Sequence, residues 1–296
     1  MAEDDGLRAR AIALHDHFTH VSNDRRGFMA DMVRLAGSAA AAEALIAGIA
    51  SNPAAAAIVA EDDPRLVTTV TSWETAPGRR ITGYQATPEG KAAASLPAIV
   101  VIHENRGLQP YTRDVARRAA LAGFVALAPD LLTPSGGSPQ GDDDKARAMI
   151  AALDLAQTTQ DAIATLKWIK AGGRSNGKVG IVGFCWGGAL ADRVAVAGGH
   201  AADAVVAFYG PPPDPSEAAK VEAPILLHYA GLDTRVDAAA QPWVAALKAA
   251  HKNVTSYLYP NVNHAFHNDT APDRYNAAAA TLAWDRTIAF FKEHLA

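Results

Sequence analysis

The chain has 296 residues, a formal net charge of −4 at pH 7 and a single cysteine. That length suffices for one α/β domain with extensions and a large core, and it leaves no basic stripe suited to nucleic acid. A lone cysteine excludes an intrachain disulfide and a zinc finger, and neither a phosphate-binding Gly-x-x-x-x-Gly-Lys loop nor a Gly-x-Gly-x-x-Gly turn is present.

The first sixty-odd residues are alanine-rich, with helical periodicity over residues 7–18 and 29–49. His15, His17 and His20 form a loose cluster. A metal site there is an option, but solvated histidines on a helix face are the expectation. Arg25-Arg26-Gly27-Phe28-Met29 resembles a twin-arginine export motif. Asp31, Arg34 and Glu43 interrupt the apolar run that export requires, and no stretch is long enough for a membrane span. Residues 1–63 are therefore read as an uncleaved helical extension of a cytoplasmic protein, with a periplasmic location as the alternative. The extension is expected to pack on the domain or on a partner subunit.

Asp62-Asp63-Pro64 reads as the linker into a domain over residues 64–296. Residues 67–73 and 81–86 predict a β-hairpin around Ala76-Pro77-Gly78. Residues 98–103 predict a buried strand, with Glu104 just beyond it, and residues 124–127 a second short strand. The Gly-, Pro-, Ser- and Asp-rich segment 133–144 reads as a mobile surface loop near the mouth of a cleft. Residues 163–170 predict a helix closed by Gly172-Gly173, and residues 274–294 a terminal amphipathic helix. Strands alternating with helices imply an α/β fold, a mostly parallel sheet covered on both faces. No internal repeat and no lid domain is evident.

The chemistry concentrates at Gly183-Phe184-Cys185-Trp186-Gly187-Gly188. An apolar strand, residues 178–182, leads into it and a helical run, residues 189–194, leaves it. This is the Gly-x-Ser-x-Gly nucleophile elbow with cysteine in the serine place. So sharp a turn strains the nucleophile, and side chains at the flanking glycines would clash. The helix N-terminus also favours thiolate. The strand at 224–230 ends at Asp233, and the strand at 254–259 is followed by a loop carrying His264. Nucleophile, acid and histidine thus stand in the chain order of an α/β-hydrolase, each past the C-terminal end of a strand. Asp233 would orient His264, and His264 would exchange a proton with the sulfur. Plain structural readings also exist. Cys185 can be a small buried hydrophobe, Asp233 the N-cap of the helix over 236–250, and His264 a solvated loop residue.

The chain resembles the dienelactone hydrolases, the carboxymethylenebutenolidase group of α/β-hydrolases, over roughly residues 66–296. The resemblance rests on His103-Glu104-Asn105-Arg106-Gly107, Ala128-Pro129-Asp130-Leu131, Ser175-Asn176-Gly177-Lys178-Val179-Gly180, the cysteine elbow, Phe208-Tyr209-Gly210, and the Asp233 and His264 segments. It implies an α/β-hydrolase fold and a cofactor-free, metal-free hydrolase of small esters or lactones, working through a thioester as a monomer or homodimer. It assigns Glu104 to thiol activation, although a salt bridge to Arg106 or Arg113 is the plain alternative. An oxyanion hole is expected from the backbone N–H of Trp186 and, by analogy, of Asn105. Tyr209 matches an aromatic residue near the site, as a substrate contact or, equally, as core packing. The family binds a substrate carboxylate with arginines. One is expected a turn past the histidine, where this chain has Asn268, and the other in a segment where Lys145 and Arg147 are the nearby cations. Arg106 is a further candidate. A general carboxylesterase or polyester hydrolase, or a non-catalytic ligand-binding protein on the same scaffold, are the other readings.

Overall fold

The computed structural model describes residues 2–22, 24–49 and 57–296. It begins with three helices, α1 (Ala2–His17), α2 (Arg25–Ala36) and α3 (Ala39–Ile49). A π-helical turn, Phe18–Ser22, continues α1. The helical run expected over 29–49 is broken in two. Gly37 adopts φ 80°, and its N–H closes α2 on the carbonyl of Val33. Ala11, Ile12, Phe18, Phe28, Met32, Ala42 and Ile49 form a small core shared by the three helices. Phe18 and Phe28 stack at 4.5 Å between ring centroids. Among the described residues no single helix is long and apolar enough to cross a membrane. The pair α2 and α3 passes that test only together, and they meet at 107°.

A hairpin follows, β1 (Leu66–Ala76) and β2 (Arg79–Pro88), turning at Gly78 with φ 72°. It agrees with the predicted strands, and Trp73 lies opposite Ile81 in the antiparallel register. The remaining elements are β3 (Ala98–Ile102), α4 (Pro110–Leu121), β4 (Val125–Asp130), α5 (Asp143–Ala151), α6 (Leu155–Lys170), β5 (Val179–Phe184), α7 (Trp186–Ala197), β6 (Ala204–Phe208), β7 (Ile225–Ala230), α8 (Thr234–Ala249), β8 (Val254–Tyr259) and α9 (Ala277–His294). The eight strands form one sheet in the order β1-β2-β4-β3-β5-β6-β7-β8. The β1–β2 and β2–β4 pairs are antiparallel and every other pair is parallel. This is the mostly parallel α/β sheet expected from the sequence.

Strands β3, β5, β6 and β7 are buried along their whole length, which is why they read as unbroken apolar runs. Two apolar clusters cover the two faces of the sheet. One includes Val100, Ile102, Ile181, Leu227 and Trp243, and the other Ile99, Val101, Val182, Phe208 and Phe291. The chain order reverses at β3, which lies between β4 and β5. Open α/β sheets bind ligands in the crevice outside the C-terminal ends of the strands at such a switch point. Glu104 and Cys185 follow β3 and β5 there.

The segment expected to be a surface loop runs over the surface, and it is anchored at Ser138. Asp130 Oδ2 accepts from the Ser138 N–H at 2.8 Å, and Asp130 Oδ1 from the Ser138 hydroxyl at 2.6 Å. The Leu108 N–H donates to Ser138 Oγ at 2.8 Å. The aspartate at the end of β4 therefore organises both this segment and the turn after Glu104.

Candidate active site

At Cys185 the strand β5 turns directly into α7, with φ 55° and ψ −116°. A non-glycine residue in that region is strained, and the surrounding backbone must hold it there. The Cys185 N–H donates to the carbonyl of Phe208 at 3.0 Å. The flanking glycines are sterically obligatory. A Cβ on Gly183 would lie 1.9 Å from the carbonyl oxygen of Gly187, and one on Gly187 would lie 2.4 Å from that of His103. Cys185 is only 3% exposed, yet it lines two pockets.

Strands β7 and β8 are neighbours, so the loops at their C-terminal ends meet. The Leu232 N–H donates to the Val262 carbonyl at 3.0 Å. His264 Nδ1 and Asp233 Oδ2 are 2.5 Å apart. The other oxygen, Asp233 Oδ1, accepts from the Val236 N–H at 3.2 Å. Asp233 is thus the N-cap of α8 and the partner of His264 at once, so its two sequence readings are compatible. Ala265 has φ 64°, a left-handed residue that turns the chain sharply beside His264.

His264 is buried between that carboxylate and the sulfur. Burial alone would push its pKa down. The negative charge at Cys185, hydrogen bonds to Asp233 and Cys185, and the Asp233 charge outweigh burial and raise it to about 10. Burial likewise pushes the Asp233 carboxyl up, but the hydrogen bond and charge of His264, with Arg235 and the Val236 N–H, hold it below the usual carboxylate range. The solvated-loop alternative for His264 does not apply, because the residue is 2% exposed.

Glu104 is buried and shares a pocket with Cys185 and His264. It forms neither of the salt bridges considered from sequence. Its Oε2 accepts from Asn268 Nδ2 at 2.7 Å, and its Oε1 has no partner. Asn268 is oriented in turn, because its Oδ1 accepts from the Thr270 N–H at 3.0 Å and the Thr270 hydroxyl at 2.6 Å. The position where the resemblance implies an arginine therefore holds the glutamate instead. His103 steadies the same turn. Its Nε2 accepts from the Leu131 N–H, so Nδ1 donates to the Glu104 carbonyl at 2.8 Å. Burial lowers its pKa, and its ring stacks on Trp186 at 5.4 Å.

Asn105 and Trp186, the two expected sources of oxyanion donors, line one cavity of about 310 Å³ with Cys185. Arg147 reaches both pockets beside Cys185, and Arg106 reaches one of them. Each is already paired, Arg147 with Asp144 and Arg106 with Asp143 at 3.1 Å. Lys145 lies elsewhere, in a hollow with Ser135 and Met149. Tyr209 is fully buried, with its ring 5.0 Å from that of His264. It lies beside the site and packs against the imidazole from within the core.

The N-terminal helices pack on the domain, one of the two placements expected, and they also reach the site. His15 and Thr19 line the pocket with Cys185, Glu104 and His264, and Ile49 joins them. The expected solvated histidine face is wrong for His15. It is buried, and its Nδ1 accepts from Arg274 Nη2 at 2.8 Å. His17 is exposed, and the side chain of His20 lies outside the described residues. Arg274, 6% exposed, also donates to Asp16 at 2.6 Å. Nothing local in the sequence signals that contact, which joins residues 258 positions apart. Among the described residues, no group of three or more His, Cys, Asp or Glu side chains gathers as a metal site would require.

Comparison with known proteins shows the family of the chain. The dienelactone hydrolase family model matches residues 81–295. A provisionally named carboxymethylenebutenolidase of Escherichia coli O157:H7 is 31% identical over 258 residues, covering 83% of this chain and 94% of its own length. Another, from Methylorubrum extorquens, is 32% identical and covers 72% and 77%. The crystal structure of a provisionally assigned dienelactone hydrolase from Klebsiella pneumoniae superposes with a TM-score of 0.68 at 26% identity, over 77% of this chain and 99% of that one. Brefeldin A esterase shares the fold at a TM-score of 0.63 and 15% identity, over 90% and 86% of the two chains. With a family match over most of its length and the sheet that accompanies it, this chain belongs to the dienelactone hydrolase family and is a hydrolase of the α/β-hydrolase fold.

Proposed function

We propose that the protein hydrolyses small carboxylic esters or lactones through a thioester on Cys185. The observation that carries this reading is His264, buried between the Asp233 carboxylate at 2.5 Å and the sulfur of a strained elbow. With its pKa raised to about 10, the imidazole of His264 holds a proton at neutral pH that it can pass on.

The thiolate attacks the substrate carbonyl carbon and forms the S–C bond. Charge that develops on the carbonyl oxygen is met by the backbone N–H groups of Trp186 and Asn105. As the tetrahedral intermediate collapses, the C–O bond breaks and His264 gives its proton to the departing oxygen. The neutral imidazole then takes a proton from water, and the resulting hydroxide attacks the thioester. The C–S bond breaks, the acid leaves, and thiolate and imidazolium are restored. Asp233 fixes the imidazole so that Nε2 faces the sulfur and steadies its positive charge. Glu104, held by Asn268 with one oxygen uncommitted, assists removal of the thiol proton whenever the sulfur is protonated. The substrate is small because the cavity of about 310 Å³ sits at the low end of the range of ~300–1,000 Å³ for small-molecule sites.

The test is turnover of p-nitrophenyl acetate and of a dienelactone by the full chain and by Cys185→Ala. Loss of a nucleophile of this kind is expected to cost on the order of 10⁶-fold in kcat. Rapid quenching should also trap an acyl group on Cys185, seen as a mass increment in intact-protein spectra. Turnover that survives Cys185→Ala overturns the mechanism. The ratio of lactone to acetate turnover separates a lactonase from a general esterase. No turnover of either substrate favours a ligand-binding protein.

A further inference from the structure

The N-terminal helices have a core of their own and lie outside the span of the family model. They nevertheless wall the pocket that holds the sulfur. The π-helical turn Phe18–Ser22 brings Thr19 and Val21 to the cavity of about 310 Å³, which they line together with Cys185, Trp186, Ile150 and Leu155. π-Helical turns are rare and concentrate at functional sites. The Thr19 hydroxyl is committed to the carbonyl of His15 at 2.9 Å, and the Thr19 carbonyl accepts from Asn105 Nδ2 at 3.4 Å. The turn is thereby fixed against the residue expected to supply one oxyanion donor.

The attachment of this unit is mostly polar, and two of its arginines, Arg274 and Arg147, line pockets beside Cys185. Arg274 holds Asp16 and His15, Arg25 pairs with Asp144, and the Arg147 guanidinium sits 5.5 Å from the Phe18 ring centroid. Thr19 is half-buried at the wall, whereas Val21 is 60% exposed and stands at the rim.

We infer that Thr19 and Val21 are specificity-determining residues, supplied by the N-terminal helices, which limit the acyl or alcohol group that can lie beside Cys185. They favour compact substrates over those with extended chains. The inference rests on the proposed ester or lactone hydrolysis for its substrate class, but the wall itself can be measured without it.

Two substitutions of opposite sign in the full chain provide the test. Val21→Trp adds bulk at an exposed rim position, where the fold can accept it. Thr19→Ala removes bulk from the wall. The ratio of kcat/KM for p-nitrophenyl butyrate to that for the acetate is expected to fall about tenfold in V21W and to rise several-fold in T19A. In parallel, alkylation of Cys185 by N-benzylmaleimide relative to iodoacetamide should slow in V21W and quicken in T19A. Ratios unmoved by either substitution in both assays overturn the inference. Altered alkylation ratios with no ester turnover in any variant would leave the wall in place and overturn the hydrolytic reading.

Discussion

The sheet and the N-terminal helices are held by different forces. The sheet lies between two continuous apolar clusters, and its central strands are buried end to end. The α1–α3 unit has only a handful of buried side chains and is fastened to the rest by Arg274, Arg25, Arg8 and the contact of Arg147 with Phe18. The exposed pairs of Arg25 and Arg8 contribute little to stability, whereas apolar burial contributes about 25 cal/mol per Å². The groups proposed to react sit on the strongly held part, and part of the pocket wall sits on the weakly held part. Sites gain precision when their reacting groups stand on rigid elements, while segments with few apolar contacts open at lower free energy. The contrast therefore assigns chemistry to one region and access to the other.

The sharpest way to break that contrast is at Asp233. Asp233→Asn keeps a good N-cap for α8 but removes the charge beside His264, and kcat is expected to fall by about 10³–10⁴-fold with little change in Tm. Asp233→Ala should lose activity to a similar extent and also cost about 1 kcal/mol of stability in denaturant unfolding. If the Asn variant retains activity, the carboxylate serves the helix only. Next in size is Gly187→Ala, whose Cβ would press on the backbone of His103. It should destabilise the sheet by roughly 1–3 kcal/mol, read as a lower unfolding midpoint. Arg274→Leu acts on the other region. Removing the partner of Asp16 and His15 should loosen α1–α3 by roughly 1–3 kcal/mol, and amide exchange should quicken there while the central strands stay protected. Equal quickening in both regions would show that they are one cooperative unit.

The last effect comes from pH. Burial, with the charges of Arg274, Arg106 and Arg147, lowers the His15 pKa to about 2. Asp16 faces the same guanidinium. Because the folded pKa lies below the ordinary 6.5, the unfolded chain binds a proton that the folded chain does not. The stabilisation is therefore complete above pH 6.5 and is lost as pH falls toward 2, at up to about 1.4 kcal/mol per pH unit. Acidification from pH 7 to 5 should increase protease cleavage within α1–α3. His15→Gln keeps an acceptor for Arg274 without titrating, so it should flatten that response. An equal response in both proteins would remove His15 as its origin.

Much of the sheet and of the elbow was legible because local rules govern them. Apolar runs without alternation marked the buried strands, Gly78 marked the hairpin turn, and the spacing of Gly183 and Gly187 around Cys185 reflected a backbone approach that no Cβ can enter. The order of Asp233 and His264 pointed to the correct strand ends, because β7 and β8 are neighbours. What stayed illegible depends on contacts between distant segments. The periodicity of α1 says that His15 lies on a helix face, but only the fold brings Arg274 over it. Asn268 looked like a missing arginine until Glu104 was seen to receive its amide. The 133–144 segment has a flexible composition, and Asp130 alone accounts for much of its restraint.

One carboxylate, two oxygens, two duties: Asp233 ties the first turn of a helix with one and an imidazole with the other. Any fluctuation that frays the start of α8 must also swing His264 out of alignment. Local melting at that single turn would silence the enzyme well before the molecule unfolds, so heat or denaturant should extinguish turnover ahead of the global transition.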